Sequence, residues 1–183
     1  MKYCLGVVLF LTAMTLQAGG YYKQMDDGYD PHSGFYFLPQ LNKPSNNGIF
    51  SSSGDRRVDN IAIFDPATEQ HRLLFKPDRA WNITVFTFEM ALSENQQVEF
   101  FGRSYRMLNN QVEKEREIKD KLLIVTEDQD SEQLTLWFAN KQGQDLKAIY
   151  TFHRDTRWHI DVKNSKIRFI TRQPELGFHS INW

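Results

Sequence analysis

Few residues in this sequence are spaced for chemistry, and the most suggestive pair is His159 and Asp161. Two positions apart in the run Arg157-Trp158-His159-Ile160-Asp161, they share one face of an extended strand, a spacing that can ligate a metal ion. No third donor accompanies them: His32, His71 and His179 have no partner of suitable spacing nearby. Asp26, Asp27 and Asp30 are close together but lack the alternating ligands and closing glutamate of a twelve-residue calcium loop, and they read as a solvated acidic turn. His153-Arg154-Asp155 spells the triplet of some phosphoryl-transfer loops, without the glycine-rich loop or Asp-Phe-Gly that such chemistry needs. Ser51-Ser52-Ser53 sits in no Gly-x-Ser-x-Gly elbow and reads as a polar loop. Asn82-Ile83-Thr84 matches a glycosylation sequon within a predicted strand. No catalytic residue, metal or cofactor is implied.

What is left is a surface rich in arginine. Arg56, Arg57, Arg154 and Arg157 fall in predicted inter-strand loops, with Trp158 and His159 beside the last of them. Arginine and aromatic side chains are the usual anchors of protein contacts. These six residues form the candidate binding site, although Trp158 is read first as packing between sheets.

The elements that would position them are written twice. Residues 48–76 and 123–151 align without a gap at an offset of 75. Ile61, Ile63 and Phe64 fall on Leu136, Phe138 and Ala139, Asp65 on Asn140, Thr68 on Gly143, and Arg72 on Lys147. Each copy reads as strand, polar loop, strand, tight turn, strand. Phe35 to Leu41 is a strand interrupted by Pro39, which suits an edge. Trp81 to Glu89 alternates like a strand, with a bulge where the alternation slips between Val85 and Phe86. Val98 to Phe101 and Tyr105 to Leu108 read as a hairpin, and Gln111 to Asp120 as a charged connector. Arg157 to Arg172 gives two strands around Lys163-Asn164-Ser165. In the closing run from Leu176, the side chains of Phe178, Ile181 and Trp183 call for burial.

The 183 residues suit one domain, 35–183, after an irregular arm at 21–34. Residues 1–20 have the parts of a secretory signal: Lys2, an apolar run from Tyr3 to Leu16, and small residues around Ala18 and Gly20. The apolar run is shorter than the roughly 20 residues a membrane span needs. The expectation is a periplasmic or secreted protein with no integral membrane segment. The only cysteine, Cys4, lies in the signal, so the mature chain has neither disulfides nor thiolate zinc sites. A net charge of −1 provides no basic field for nucleic acid.

The hairpin Leu136–Phe152, followed by Trp158, Asp161 and the basic-apolar strand Lys166 to Ile170, resembles the repeat of TolB-type β-propellers. The hairpin around Asp65 to Glu69 resembles the same blade element, with Thr68 in place of the turn glycine. The resemblance implies an all-β, propeller-like array of about four antiparallel sheets, at 48–76, 81–110, 119–152 and 157–183, with the strand Phe35–Leu41 lent to the opposite terminal sheet. An open fan or a two-sheet sandwich is the alternative architecture. The function this implies is an exported, non-catalytic module that binds another protein, such as a toxin it neutralises or an envelope component. The alternative is a hydrolase or lyase of envelope sugars, using His159, Asp161 or Asp55. Expressed in a Gram-negative host with residues 1–20 in place, the chain is expected to mature to a form beginning just after Ala18 or Gly20, read by intact mass of the periplasmic fraction.

Overall fold

The computed structural model describes residues 27–41, 57–77, 80–102, 107–108, 110–112, 116–128, 130–172 and 174–183. Over these, the chain forms thirteen strands and no helix. They are β1 (Gly28–Tyr29), β2 (Tyr36–Leu41), β3 (Val58–Asp65), β4 (Gln70–Leu73), β5 (Trp81–Leu92), β6 (Val98–Phe100) and β7 (Met107–Leu108), then β8 (Leu122–Asp128), β9 (Gln133–Ala139), β10 (Lys147–His153), β11 (Arg157–Asp161), β12 (Lys166–Thr171) and β13 (Gly177–Asn182). The expected signal at 1–20, residues 21–26 of the arm, Ile49, Phe50, Ser51–Ser53, Asp55 and Arg56 lie outside the described residues.

The expected all-β array is present as three open sheets, ordered β1-β2-β3-β4, β10-β9-β8-β5-β6 and β13-β12-β11-β7. Four sequence units occupy three sheets because β5 pairs with β8 from Trp81↔Asp128 to Phe88↔Leu122, merging the second and third units. β2 is not lent to the far end of the array; it pairs with its neighbour β3. Its Pro39 has no amide to give, and among the described residues β1 covers only Tyr36 and Phe37 of its other side. β7 is likewise no hairpin partner of β6. It joins the third sheet, parallel to β11 at Ile160↔Met107.

The two hairpins share one register. Ala62 faces Leu73 and Ile63 faces Arg72; 75 residues later, Trp137 faces Ala148 and Phe138 faces Lys147. Each turn is capped by its first side chain, Asp65 accepting from the Ala67 amide and Asn140 from the Gln144 amide. The strand that precedes each hairpin also corresponds, since Tyr36 faces Phe64 as Leu122 faces Ala139. It is β2 that matches β8, so the gapless alignment misplaces that first strand.

The sheets stack in one orientation. Ile61 and Ile63 of the first sheet pack into the core it shares with the second, while their counterparts Leu136 and Phe138 pack into the core between the second sheet and the third. The middle sheet is therefore buried on both faces. In β8, Leu122 and Ile124 point into one core and Leu123 and Val125 into the other. In β5 the register slips between Ile83 and Val85, which puts Ile83, Phe86 and Phe88 on one side and Val85 on the other. A bulge is thus present in this strand, at Thr84 rather than between Val85 and Phe86 as expected. It lets a strand with an imperfect alternation serve two cores. Each such fully buried side chain contributes roughly 1.5–3 kcal/mol.

The turn at Gly143 docks the second hairpin against the first. Gly143 has φ +72°, and a Cβ there would lie 2.5 Å from Ile63 Cδ1 and 3.1 Å from Leu74 Cδ1. Gly34, also at positive φ (+79°), has nothing within 4 Å of that position. Gly143→Ala is expected to cost about 2–4 kcal/mol, from left-handed strain plus overpacking, and Gly34→Ala about 1 kcal/mol from strain alone. Urea denaturation of the two variants measures the difference.

Candidate functional site

Of the six residues singled out in the sequence, the five that are described do not converge. Arg56 lies outside the described residues, and Arg57 precedes β3 in the first sheet, at the end of the array where the Trp81 indole donates to the Asp59 carbonyl (3.3 Å). Arg154 occupies the β10–β11 turn, at the same end. Its guanidinium pairs with Glu127 and its amide donates to the Glu132 carbonyl (2.9 Å). That pair is half exposed and worth at most about 1 kcal/mol.

The rest divide between the two faces of the third sheet. Alternation along β11 turns Trp158 inward, opposite Phe169 and against the second core. Trp158 is packing. Arg157 and His159 stand on the outer face, where the register builds two rows: Arg157, Ile170, Phe178 and His159, Arg168, Ser180. Arg168 lies between His159 and Ser180 in the second row, its Nε 2.7 Å from Asp161 Oδ2 and its Nη1 3.4 Å from Ser180 Oγ. Asp161 also accepts from the Asn164 amide (3.3 Å) and from Asn164 Nδ2 (2.9 and 3.0 Å). Its carboxylate is therefore held as the cap of the β11–β12 turn and by the Arg168 guanidinium.

Sequence reasoning missed the apolar part of this face. Phe178, expected to be buried, is 74% exposed, and Leu176 just before it is 66% exposed. Ile181 and Trp183, from the same run, do go inward. The alternation of strand β13 was the available signal, since it puts Phe178 on the face opposite Ile181.

A second apolar patch covers the outer face of the first sheet, where Tyr29, Tyr36 and Phe64 sit in register with ring centroids 4.7 and 6.2 Å apart. A shallow crevice of ≈ 250 Å³ opens between the two hairpin turns, lined by Phe35, Asp65, His71, Arg72 and Gln142 among others. Among the described residues no three acidic, histidine or cysteine side chains are grouped to hold a metal.

The strongest electrostatics in the molecule are internal. Glu89 of β5 is fully buried and accepts from Arg116 Nη1 and Nη2 (2.8 Å each), the Lys119 amide (3.2 Å) and Trp183 Nε1 (2.8 Å). Its acceptor capacity of about four sites is filled, which leaves it nothing to exchange with a substrate. Beside it, Lys141 (1% exposed) donates to the Glu89 carbonyl (2.8 Å) and pairs with Asp30 Oδ2 (2.8 Å). Asp30 is fully buried, not the solvated turn residue expected.

No family model, curated protein or solved structure matches the chain. Its site therefore stands on its own geometry. Among the described residues no helix is long and apolar enough to cross a membrane.

Burial lowers the ammonium pKa of Lys119 to about 8, against the opposing pull of Glu89, and burial also lowers that of Lys121. Lys119 donates to the Trp183 main-chain oxygen, and both ammonium groups lie 5.7 Å from the Trp183 ring. Between about pH 8 and the unfolded value near 10.5 the unfolded chain binds more protons, so stability is expected to rise with pH across that window. Lys119→Met removes its share of the rise and leaves that of Lys121. Denaturation midpoints measured from pH 7 to 10.5 make the comparison.

Proposed function

We propose that this chain is an exported protein-binding module and that its contact surface is the outer face of the third sheet, approached past the Arg154 turn. One observation carries the reading: the row Arg157, Ile170, Phe178 sets an arginine and an aliphatic side chain in register with the most exposed large apolar side chain among the described residues. A large apolar group held in water beside arginines is the composition of a contact centre rather than of an inert surface. Two of the anchors expected from the sequence, Arg157 and His159, belong to this face, with Arg168 and Phe178 added by the fold.

A TolB-type blade ancestry fits the equal register of the two hairpins and their stacking in one orientation. The signal-like residues 1–20 support export to the periplasm. Blocking a periplasmic toxin is one form this binding could take. The sugar-hydrolase alternative draws no support from Asp161, whose oxygens are engaged by Asn164 and Arg168.

A photo-crosslinking amino acid placed at position 157, with position 69 on the β3–β4 turn as control, tests the reading in cells of the source organism. A discrete protein adduct at 157 that is absent at 69 is the expected result. Identical adduct patterns at the two positions, or none at either, would remove the third sheet as the contact surface.

A further inference from the structure

The contact surface just described ends in an edge strand, β13, that no other described strand covers. A free strand edge is a template for pairing, and proteins blunt such edges by shortness, charge, proline or bulges. Almost every other edge here carries one of those devices. β1 and β7 are two residues long and β6 is three. β2 carries Pro39, and β4 is four residues with His71 and Arg72. β10 begins at Lys147, ends at His153, and breaks register between Ala148 and Tyr150.

β13 has none of them. Its six residues, Gly-Phe-His-Ser-Ile-Asn, contain no proline or formally charged side chain and pair with β12 without a shift from Lys166↔Asn182 to Thr171↔Gly177. Among the described residues no strand pairs with its other side. The strand is also pinned at its end. The Trp183 amide donates to the Ser165 carbonyl (2.9 Å) and the Trp183 indole to Glu89 (2.8 Å), so the register of the edge is set before anything binds. A template of fixed register lowers the ordering cost of a partner strand.

We propose that β13 accepts an extended segment of another protein as a fourteenth strand, and that this segment carries acidic and apolar side chains in alternation. It deepens the contact-surface reading and rests on it. The chemistry of the occupant follows from the faces of β13. On the outer face, Phe178 asks for an apolar or aromatic neighbour, while Ser180 and Asn182 lie in register with Arg168 and Lys166 of β12. An added strand stands about 4.8 Å beyond β13, so a glutamate opposite Ser180 or Asn182 reaches across it to the arginine or lysine. On the inner face, Ile181 and the His179–Tyr150 stack (centroids 4.4 Å apart) favour apolar side chains. A second copy of this chain meets the criterion poorly, because its own edge presents the same Arg168 and Lys166 and no carboxylate.

Two seven-residue peptides test the assignment against the full mature chain labelled with ¹⁵N. One is Val-Glu-Val-Glu-Val-Phe-Val, and the other has lysine in place of both glutamates. Amide shifts confined to residues 166–170 and 176–183 are expected, with the lysine peptide binding at least about tenfold more weakly. Phe178→Asp is expected to weaken the acidic peptide by about tenfold or more while leaving the denaturation midpoint unchanged, since the side chain is 74% exposed. Three results overturn the proposal: no shifts at millimolar peptide, shifts spread over the other sheets, or equal binding of both peptides. A dimer on sizing that Phe178→Asp dissolves would replace the foreign strand with a second copy. If the peptides fail while crosslinks at position 157 persist, strand addition is wrong and the contact surface stands; if both fail, the third sheet is no binding surface.

Discussion

One buried carboxylate joins parts of the chain that hydrophobic packing alone leaves separate. Glu89 draws the Arg116–Lys119 connector and the Trp183 indole onto β5, and the adjacent Lys141 brings in the Asn140–Gln144 turn and the Asp30 loop. Members of all three sheets, or residues next to them, thereby meet at one end of the stack. Burying an ion is costly and is repaid only when its hydrogen bonds are complete. Here the repayment is geometric. A complete shell around Glu89 fixes the position of Trp183, and with it the end of the strand on which the proposed contact face depends. Removing one partner from such a shell leaves charge uncompensated in the interior, which costs about 3–5 kcal/mol.

Much of the architecture was legible where side-chain alternation and turn chemistry agree. Asp65 and Asn140 announce their turns because a short polar side chain can cap the backbone locally, and the order of apolar residues in β5 announces a slip, which the pairing places between Ile83 and Val85, one step before the expected position. What the sequence hid depends on contacts between distant segments. β5 and β8 are both apolar on two sides, so nothing in either identifies which is the other's neighbour. Met107-Leu108 is too short to carry a pattern, and its parallel partner lies some fifty positions on. The first strand of the earlier repeat was misplaced because a long connection, 42–57, separates β2 from β3 where four residues separate β8 from β9.

The site was half legible for the same reason. Residue type nominates Arg157 and His159 for a surface, and the fold agrees. Residue type alone sends Phe178 inside, and Glu89, Asp30 and Lys141 outside, and each of those expectations is reversed by tertiary position. The exceptions are the informative residues. Three charged side chains inside are satisfied by one another or by their neighbours, whereas Phe178, in register with Ile170 at the sheet edge, keeps most of its surface in water.

The distance in sequence between Glu89 and its indole partner, 94 residues, also shapes how the molecule is made. Arg116 and the Lys119 amide lie within about thirty residues of that acid, but its indole donor arrives only when the segment after β13 docks. The shell around Glu89 is therefore completed by a contact of high sequence separation, whereas the hairpins form locally.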